Sequence, residues 1–136
     1  RTTTCLDWFP SLLSMAGLPQ PEDGTTRGQD FTPLLRGESR DWNDDLFVQF
    51  DERATGPGTA DLRGYRTPEW KLVRDFRNPG HDEFYHLTED PGELKNLIAS
   101  ENPAMRKALA DLQRKMRATM ARIDDPLPFG ELVGSE

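Results

Sequence analysis

Apolar positions recur at helical spacing near both ends of this chain and alternate in its middle. Near the start, Phe9, Leu12, Leu13 and Ala16 fall three and four residues apart, the period of a helix with one apolar face. The spacing predicts a helix over residues 7–17. Asp7 is the expected N-cap, because its carboxylate can accept a first-turn N–H. Pro10 then falls at the third helical position, where a missing donor costs little. Gly17 supplies a left-handed stop, with Pro19 and Pro21 beyond it. A capping box over Thr4-Cys5-Leu6-Asp7 is the competing start; it would push Pro10 into the helix interior, so the Asp7 start is preferred. Residues 18–30 read as a loop. Thr32-Pro33-Leu34-Leu35-Arg36-Gly37 reads as one helical turn with Thr32 as cap, Pro33 at the first position and a Gly stop. Residues 38–45 are polar and acidic, a connector.

From residue 46 the pattern shortens. Leu46 to Phe50, Leu62 to Arg66, Trp70 to Phe76 and Phe84 to Leu87 read as four short strands. The turns between them centre on Thr67-Pro68-Glu69 and Asn78-Pro79-Gly80, and a Gly/Pro/Thr loop runs from Ala54 to Thr59. Strands in series with short turns favour antiparallel pairing, since parallel strands need long crossovers. The helical period then returns. Asn102 caps, Pro103 opens, and Met105, Leu109, Leu112, Met116, Met120 and Ile123 form one apolar stripe. Asp125-Pro126 ends it. The predicted fold class is α+β: a small antiparallel sheet of about four strands, packed by a long C-terminal helix and preceded by a short helix and loops. Residues 1–45, 46–125 and a flexible tail at 126–136 are the expected divisions.

Composition narrows the function. The 136 residues hold 17 Lys plus Arg against 24 Asp plus Glu, a net charge of −7. Nucleic-acid binding needs concentrated positive charge, so a nucleic-acid partner is not expected. No apolar run reaches the ~18 residues of a membrane span. The opening residues, without Met or an apolar core, predict neither a signal peptide nor a natural start. Gly and Pro number 11 each, so the chain is rich in loops and its core is thin for its length.

Self-contained chemistry is scarce. Cys5 would need a base and an oxyanion site to act as a nucleophile, and His81 and His86, the two histidines, stand in no motif. It reads as a bystander thiol. Asp44-Asp45, Glu89-Asp90 and Asp124-Asp125 are acidic pairs without a calcium-loop pattern, and read as solvated turn charge. The last helix carries Arg106, Lys107, Arg114, Lys115, Arg117 and Arg122 against Asp111 alone. Without an aromatic anchor it reads as an ordinary helix with its charges in water. The phosphate-loop, dinucleotide, zincin and serine-hydrolase motifs are all missing.

Four segments, taken in order, carry a resemblance. They are Asp7-Trp8-Phe9-Pro10-Ser11-Leu12-Leu13-Ser14-Met15-Ala16-Gly17; Gly28-Gln29-Asp30-Phe31-Thr32-Pro33-Leu34-Leu35-Arg36-Gly37; Tyr65 to Val73; and Glu83-Phe84-Tyr85-His86-Leu87-Thr88-Glu89-Asp90-Pro91-Gly92-Glu93-Leu94-Lys95-Asn96-Leu97. Together they resemble the C-terminal part of formylglycine-dependent sulfatases of the alkaline-phosphatase-like superfamily, with His86 where that family usually has Asp. The last segment also has a local reading. Asp90 can cap its turn and Asn96 can satisfy loop backbone groups, while Leu87, Leu94 and Leu97 can pin the loop to the core.

The resemblance implies that residues 1–45 finish a missing α/β catalytic domain, which would be the main partner, and that residues 46–125 form the smaller C-terminal subdomain. It implies a sulfuric ester hydrolase as parent, acting on a sulfate-ester substrate, with Ca²⁺ and the formylglycine in the missing N-terminal part. A periplasmic or secreted location of the parent is implied in the same way. Cys5, followed by Leu6-Asp7-Trp8-Phe9, does not match the C/S-x-P/A-S-R nucleophile motif, so no catalytic and no metal-binding residue is carried over. This chain alone is expected to be inactive. Its expected contribution is structural, with Arg53 and Arg63 as candidates for substrate specificity near the loop Asp51 to Thr59. A free-standing interaction module, or part of a related phosphodiesterase or phosphonate hydrolase, are the competing readings.

Overall fold

The computed structural model describes residues 1–38, 41–51, 59–78 and 80–127. The chain divides into two compact units, Arg1–Leu46 and Phe47–Glu136. Of the expected tail, residues 128–136 lie outside the described residues.

In the first unit a 3₁₀ turn, Cys5–Asp7, runs into helix α1, Trp8–Met15. The capping box set aside above is present: the Thr4 hydroxyl accepts from the Leu6 amide, and Asp7 Oδ2 accepts from the Thr4 amide at 2.6 Å. Asp7 makes no side-chain cap on α1. The two starts are reconciled because the box closes a separate tight turn, which leaves Pro10 still in the first turn of α1. Pro10 has no N–H to offer the Leu6 carbonyl four residues back, and Gly28 packs there. A Cβ on Gly28 would lie 2.0 Å from the Leu6 oxygen, so only glycine fits.

Helix α1 ends in a Schellman motif. Leu18 donates to the Leu13 carbonyl at 2.9 Å and Gly17 to Ser14 at 3.1 Å, with Gly17 at φ 68°. Helix α2, Thr32–Leu35, ends in the same way at Gly37. Its start falls one residue earlier than expected, because Asp30 rather than Thr32 supplies the cap, accepting from the Thr32 amide at 2.8 Å.

The second unit is a four-stranded sheet in the order β1-β2-β3-β4, formed by Leu46–Asp51, Asp61–Arg66, Trp70–Asp75 and Glu83–His86. The strands are antiparallel, with Tyr65 opposite Leu72 and Leu72 opposite Phe84. Those three side chains meet Leu112, Met116 and Met120 of helix α3, Pro103–Arg122. The stripe read from the sequence is therefore the core. Asn102 Oδ1 caps α3, accepting from Ala104 and Met105, and Pro103 at the first position lacks a donor that would have gone unpaired. At the β2–β3 turn the Thr67 hydroxyl accepts from the Trp70 amide at 2.9 Å. Among the described residues no helix is long and apolar enough to cross a membrane.

The loop after β4 follows the local reading at Asp90, Asn96 and Leu97. Asp90 Oδ2 accepts from the Lys95 amide at 2.8 Å. Asn96 Oδ1 accepts from the Phe84 and Ile98 amides, and its Nδ2 donates to the Asp82 carbonyl, all at 3.0 Å. Leu97 reaches the core. Leu94 does not: it is 90% exposed. Glu93, at φ 54° and paired with Lys71, turns the chain so that the next side chain points outward.

Candidate functional site

The sequence candidates for specificity cluster around the segment between β1 and β2. Arg53 and residues 52–58 lie outside the described residues, so the structure is informative about the two stems of that segment. At one stem stands Arg63, on β2. Its side chain is 1% exposed and lies on the same sheet face as Tyr65, two residues on. All five of its N–H donors are engaged. Nε donates to Asp125 Oδ2 at 2.6 Å and Nη2 to Asp125 Oδ1 at 3.1 Å. Nη1 reaches Asp51 Oδ1 and the Leu62 carbonyl, and Nη2 reaches Asp51 Oδ2. Gln49 Nε2 adds a bond to Asp125 Oδ2 at 2.6 Å.

This cluster links β1, β2 and the end of α3. Burial disfavours the Arg63 cation, but its two carboxylates more than offset that and hold the guanidinium above its usual range. Burial likewise works against the Asp125 charge, yet the Arg63 guanidinium, the Leu127 amide and Gln49 hold the carboxyl below the ordinary carboxylate range. With every donor engaged inside the chain, Arg63 presents none to a substrate anion. What it does hold is Asp51, the last described residue before the segment. Asp125, read from the sequence as solvated turn charge, instead has a side chain that is 0% exposed. The reason is that Arg63, 62 positions away, supplies its counter-charge, and no local pattern announces that.

The other stem is held from β3. Thr59 is buried, with its hydroxyl 3.1 Å from Arg77 Nη1 and its carbonyl accepting from Asn78 Nδ2 at 3.0 Å. Arg77 also pairs with Asp61, and Asp75 holds Asn78 and the Arg77 amide. Asp75 is held below its ordinary range by these bonds against the opposing effect of burial. Asp51 and Thr59, the described residues on either side of 52–58, are thus each held by a polar clamp.

The remaining candidates are placed more simply. Cys5 is exposed. His86 is buried against Trp70, edge to face with centroids 4.0 Å apart. Its Nδ1 accepts from the Glu89 amide at 3.2 Å, the service a carboxylate at this place would give, and its Nε2 lies 3.4 Å from Glu69. Among the described residues no group of three or more His, Cys, Asp or Glu side chains converges as a metal site.

In the first unit, helix α1 is turned against its own pattern. Ser11 is wholly buried, donating to the Asp7 carbonyl at 2.6 Å and accepting from the Phe31 amide at 2.9 Å. Asp7 Oδ1 accepts from the Gln29 amide at 2.7 Å, and Ser14 donates to Asp30 at 2.6 Å. These bonds fasten the polar side of α1 to the loop before α2. Trp8, Phe9 and Leu12 are left 54–56% exposed, with Met15 beside them. Four large apolar side chains in one outward stripe are more than scattered surface residues.

The family model described as N-sulphoglucosamine sulphohydrolase, C-terminal, matches residues 2–122. The chain is 31% identical over 119 residues to a Delta 4,5-hexuronate-2-O-sulfatase of Bacteroides thetaiotaomicron, an alignment covering 81% of this chain and 22% of that protein. It is 25% identical over 126 residues to an N-acetylglucosamine-6-O-sulfatase of the same organism, covering 90% of this chain and 22% of that protein. A solved structure of a 2-O GAG sulfatase superposes with a TM-score of 0.73 at 26% identity, over 88% of this chain and 25% of that one. The chain thus spans about a quarter or less of the length of these relatives.

Proposed function

The chain belongs to the family of N-sulphoglucosamine sulphohydrolase C-terminal domains, and from that premise we propose that it serves as the C-terminal part of a longer sulfatase acting on sulfated sugars. The single observation that carries this reading is the outward apolar stripe of α1. Trp8, Phe9, Leu12 and Met15 stand exposed on a helix whose polar side is fastened inward. Burying such a stripe is worth roughly 1.5–3 kcal/mol per large side chain, and an upstream α/β catalytic domain is the natural cover.

In this reading the first unit completes the catalytic domain and the second is the C-terminal subdomain. No catalytic step falls to this chain. The nucleophile and the Ca²⁺ would come from upstream sequence. The sulfated-sugar substrate class rests on the relatives' names. The segment 52–58 would face the alcohol part of the substrate, with Arg53 as the anion-reading residue. Arg63 would position that segment through Asp51 rather than touch substrate. The named relatives are sulfatases, and no observation favours a phosphodiesterase, a phosphonate hydrolase or a free-standing module.

The test uses both the chain and its parent. The 136-residue chain should turn over no p-nitrophenyl sulfate and hold no stoichiometric Ca²⁺. The longer protein should hydrolyse a sulfated glucosamine, and Arg53→Ala in it should raise KM for anionic substrates about tenfold, the worth of one charge-assisted hydrogen bond. Turnover or tight Ca²⁺ binding by the 136-residue chain would overturn the assignment, and an unchanged KM would remove Arg53 from it.

A further inference from the structure

Of the two histidines in the chain, His86 closes a turn. It ends β4, and its Nδ1 lies 3.2 Å from the Glu89 amide and 3.1 Å from the Thr88 hydroxyl. An amide N–H only donates, so Nδ1 must present its lone pair there. The neutral ring then carries its hydrogen on Nε2, which lies 3.4 Å from Glu69 Oε1. Trp70 packs edge to face on the ring, with centroids 4.0 Å apart. A half-turn of the ring would set a carbon, Cδ2, against the Glu89 amide. One tautomer in one orientation therefore satisfies every contact.

The same geometry makes the turn answer to protons. A second proton goes to Nδ1 and turns that acceptor into a donor. The Thr88 hydroxyl can rotate to accept it, but the Glu89 amide cannot. That amide then depends on the His86 carbonyl at 3.2 Å, which also takes the Asp90 amide at 2.8 Å. Among the described residues the charged neighbour of the ring is Glu69, in the β2–β3 turn. Strand β3 offers the uncharged Trp70, the turn itself offers Thr88 and an amide, and no group of α3 pairs with the ring. The Glu69 side chain is 59% exposed, so water screens its pull on a cation. In the closed turn an imidazolium would face a donor from a side chain only 10% exposed; in an opened turn it would stand in water. Acid therefore favours release.

We infer that His86 is a proton-operated latch on the turn after β4: the neutral ring holds the Glu89 amide, and the protonated ring lets it go. The turn opens the segment that leads back to the edge of the sheet, where Asp90 holds the Lys95 amide and Asn96 holds those of Phe84 and Ile98. The latch uses groups of the second unit alone, so it stands or falls apart from the sulfatase assignment.

The experiment records amide hydrogen exchange and ring ¹⁵N spectra of the intact 136-residue chain from pH 8 to pH 5, the range in which histidines ordinarily take up a proton. At pH 8 the His86 ring should show an unprotonated Nδ1. Toward acid the protection factor of the Glu89 amide, corrected for the intrinsic exchange rate, should fall about tenfold, the worth of one hydrogen bond. The fall should track the titration of the ring, while the amides of β2 and β3 keep their protection. His86→Asn puts a side-chain oxygen, an acceptor at every pH, in the place of Nδ1, and should leave the Glu89 amide protected at one level throughout. Glu69→Gln removes the charged neighbour and should move the transition toward acid. His81→Asn, at the exposed histidine, should change nothing. Circular dichroism melts identify a variant that has merely unfolded; if His86→Asn is one, Glu69→Gln, at an exposed side chain, decides. A ring protonated on Nδ1 at pH 8, a level Glu89 protection factor in the wild type, a fall that persists in His86→Asn, or a transition unmoved by Glu69→Gln would each overturn the latch.

Discussion

Arg63→Met removes the only cation in direct contact with Asp125 among the described residues and replaces it with a side chain of similar length. Asp125, 0% exposed, keeps the Leu127 amide and Gln49 Nε2 but loses two bonds and its counter-charge. Breaking a buried pair from one side costs about 3–5 kcal/mol. For a unit of this size that corresponds to a fall of at least about 12 °C in Tm. The pH dependence separates this account from simple loss of packing. Asp125 is held below its ordinary value in the folded chain. It therefore stabilises the fold above the unfolded value of ~3.9, and this contribution is lost as pH falls through the lower folded value. Arg63, raised in the folded chain, contributes below its unfolded value and loses that only in strong alkali. Without Arg63, burial would push the Asp125 carboxyl up instead. The variant should then be least stable near neutrality and recover part of its loss as the acid protonates. Urea melts from pH 4 to 8 should show wild type and variant converging toward acid. A deficit below about 1 kcal/mol at pH 7, or parallel profiles, would refute the argument.

The other predictions concern backbone approach and exposure. Gly28→Ala puts a Cβ 2.0 Å from the Leu6 carbonyl oxygen, so one strand of backbone must move. Hydrogen exchange should show the Gln29 and Phe31 amides losing protection while those of β2 and β3 keep theirs; unchanged protection would sink the close-packing account. Leu94→Ser should change stability by under ~0.5 kcal/mol, as for exposed sites generally. Leu97→Ser, three residues later and packed against the core, should cost about 2 kcal/mol or more. Equal losses at the two leucines would contradict the placement of this loop.

Sequence periodicity located every strand of the sheet and the long helix to within a residue or two, because those elements bury one face against each other inside the same chain. The stripe from Met105 to Met120 and the alternation around Tyr65, Leu72 and Phe84 meet in a single core, so pattern and packing agree. The competing helix starts also had a physical resolution: Thr4 and Asp7 close a tight turn that needs only local bonds. What the sequence hid is long-range. Arg63 reads as a candidate for holding a substrate anion, and Asp125 as part of an acidic turn. Their pairing depends on the end of α3 arriving over β2, which no window of a dozen residues can contain. Leu94 fails for the opposite reason. Its apolar type suggests burial, but Glu93 at φ 54° reverses the direction of the chain just before it.

The four segments that carry the family resemblance differ from an active-site signature in what their polar residues hold. Asp7 and Ser11 hold the amides of Gln29 and Phe31. Gly28 fits against the carbonyl that Pro10 leaves without a helical donor. Asp90 and Asn96 hold Lys95, Phe84 and Ile98. The contacts of Asp7, Ser11 and Gly28 tie the first segment to the second, and those of Asp90 and Asn96 close the fourth on itself. Such motifs can persist only where their partners are present in the same order, which is why four moderate matches in sequence outweigh one strong motif here. They specify a scaffold and say little about chemistry. The groups not consumed by that scaffold are therefore the informative ones, above all Phe9, Leu12 and Met15 on the outward side of α1.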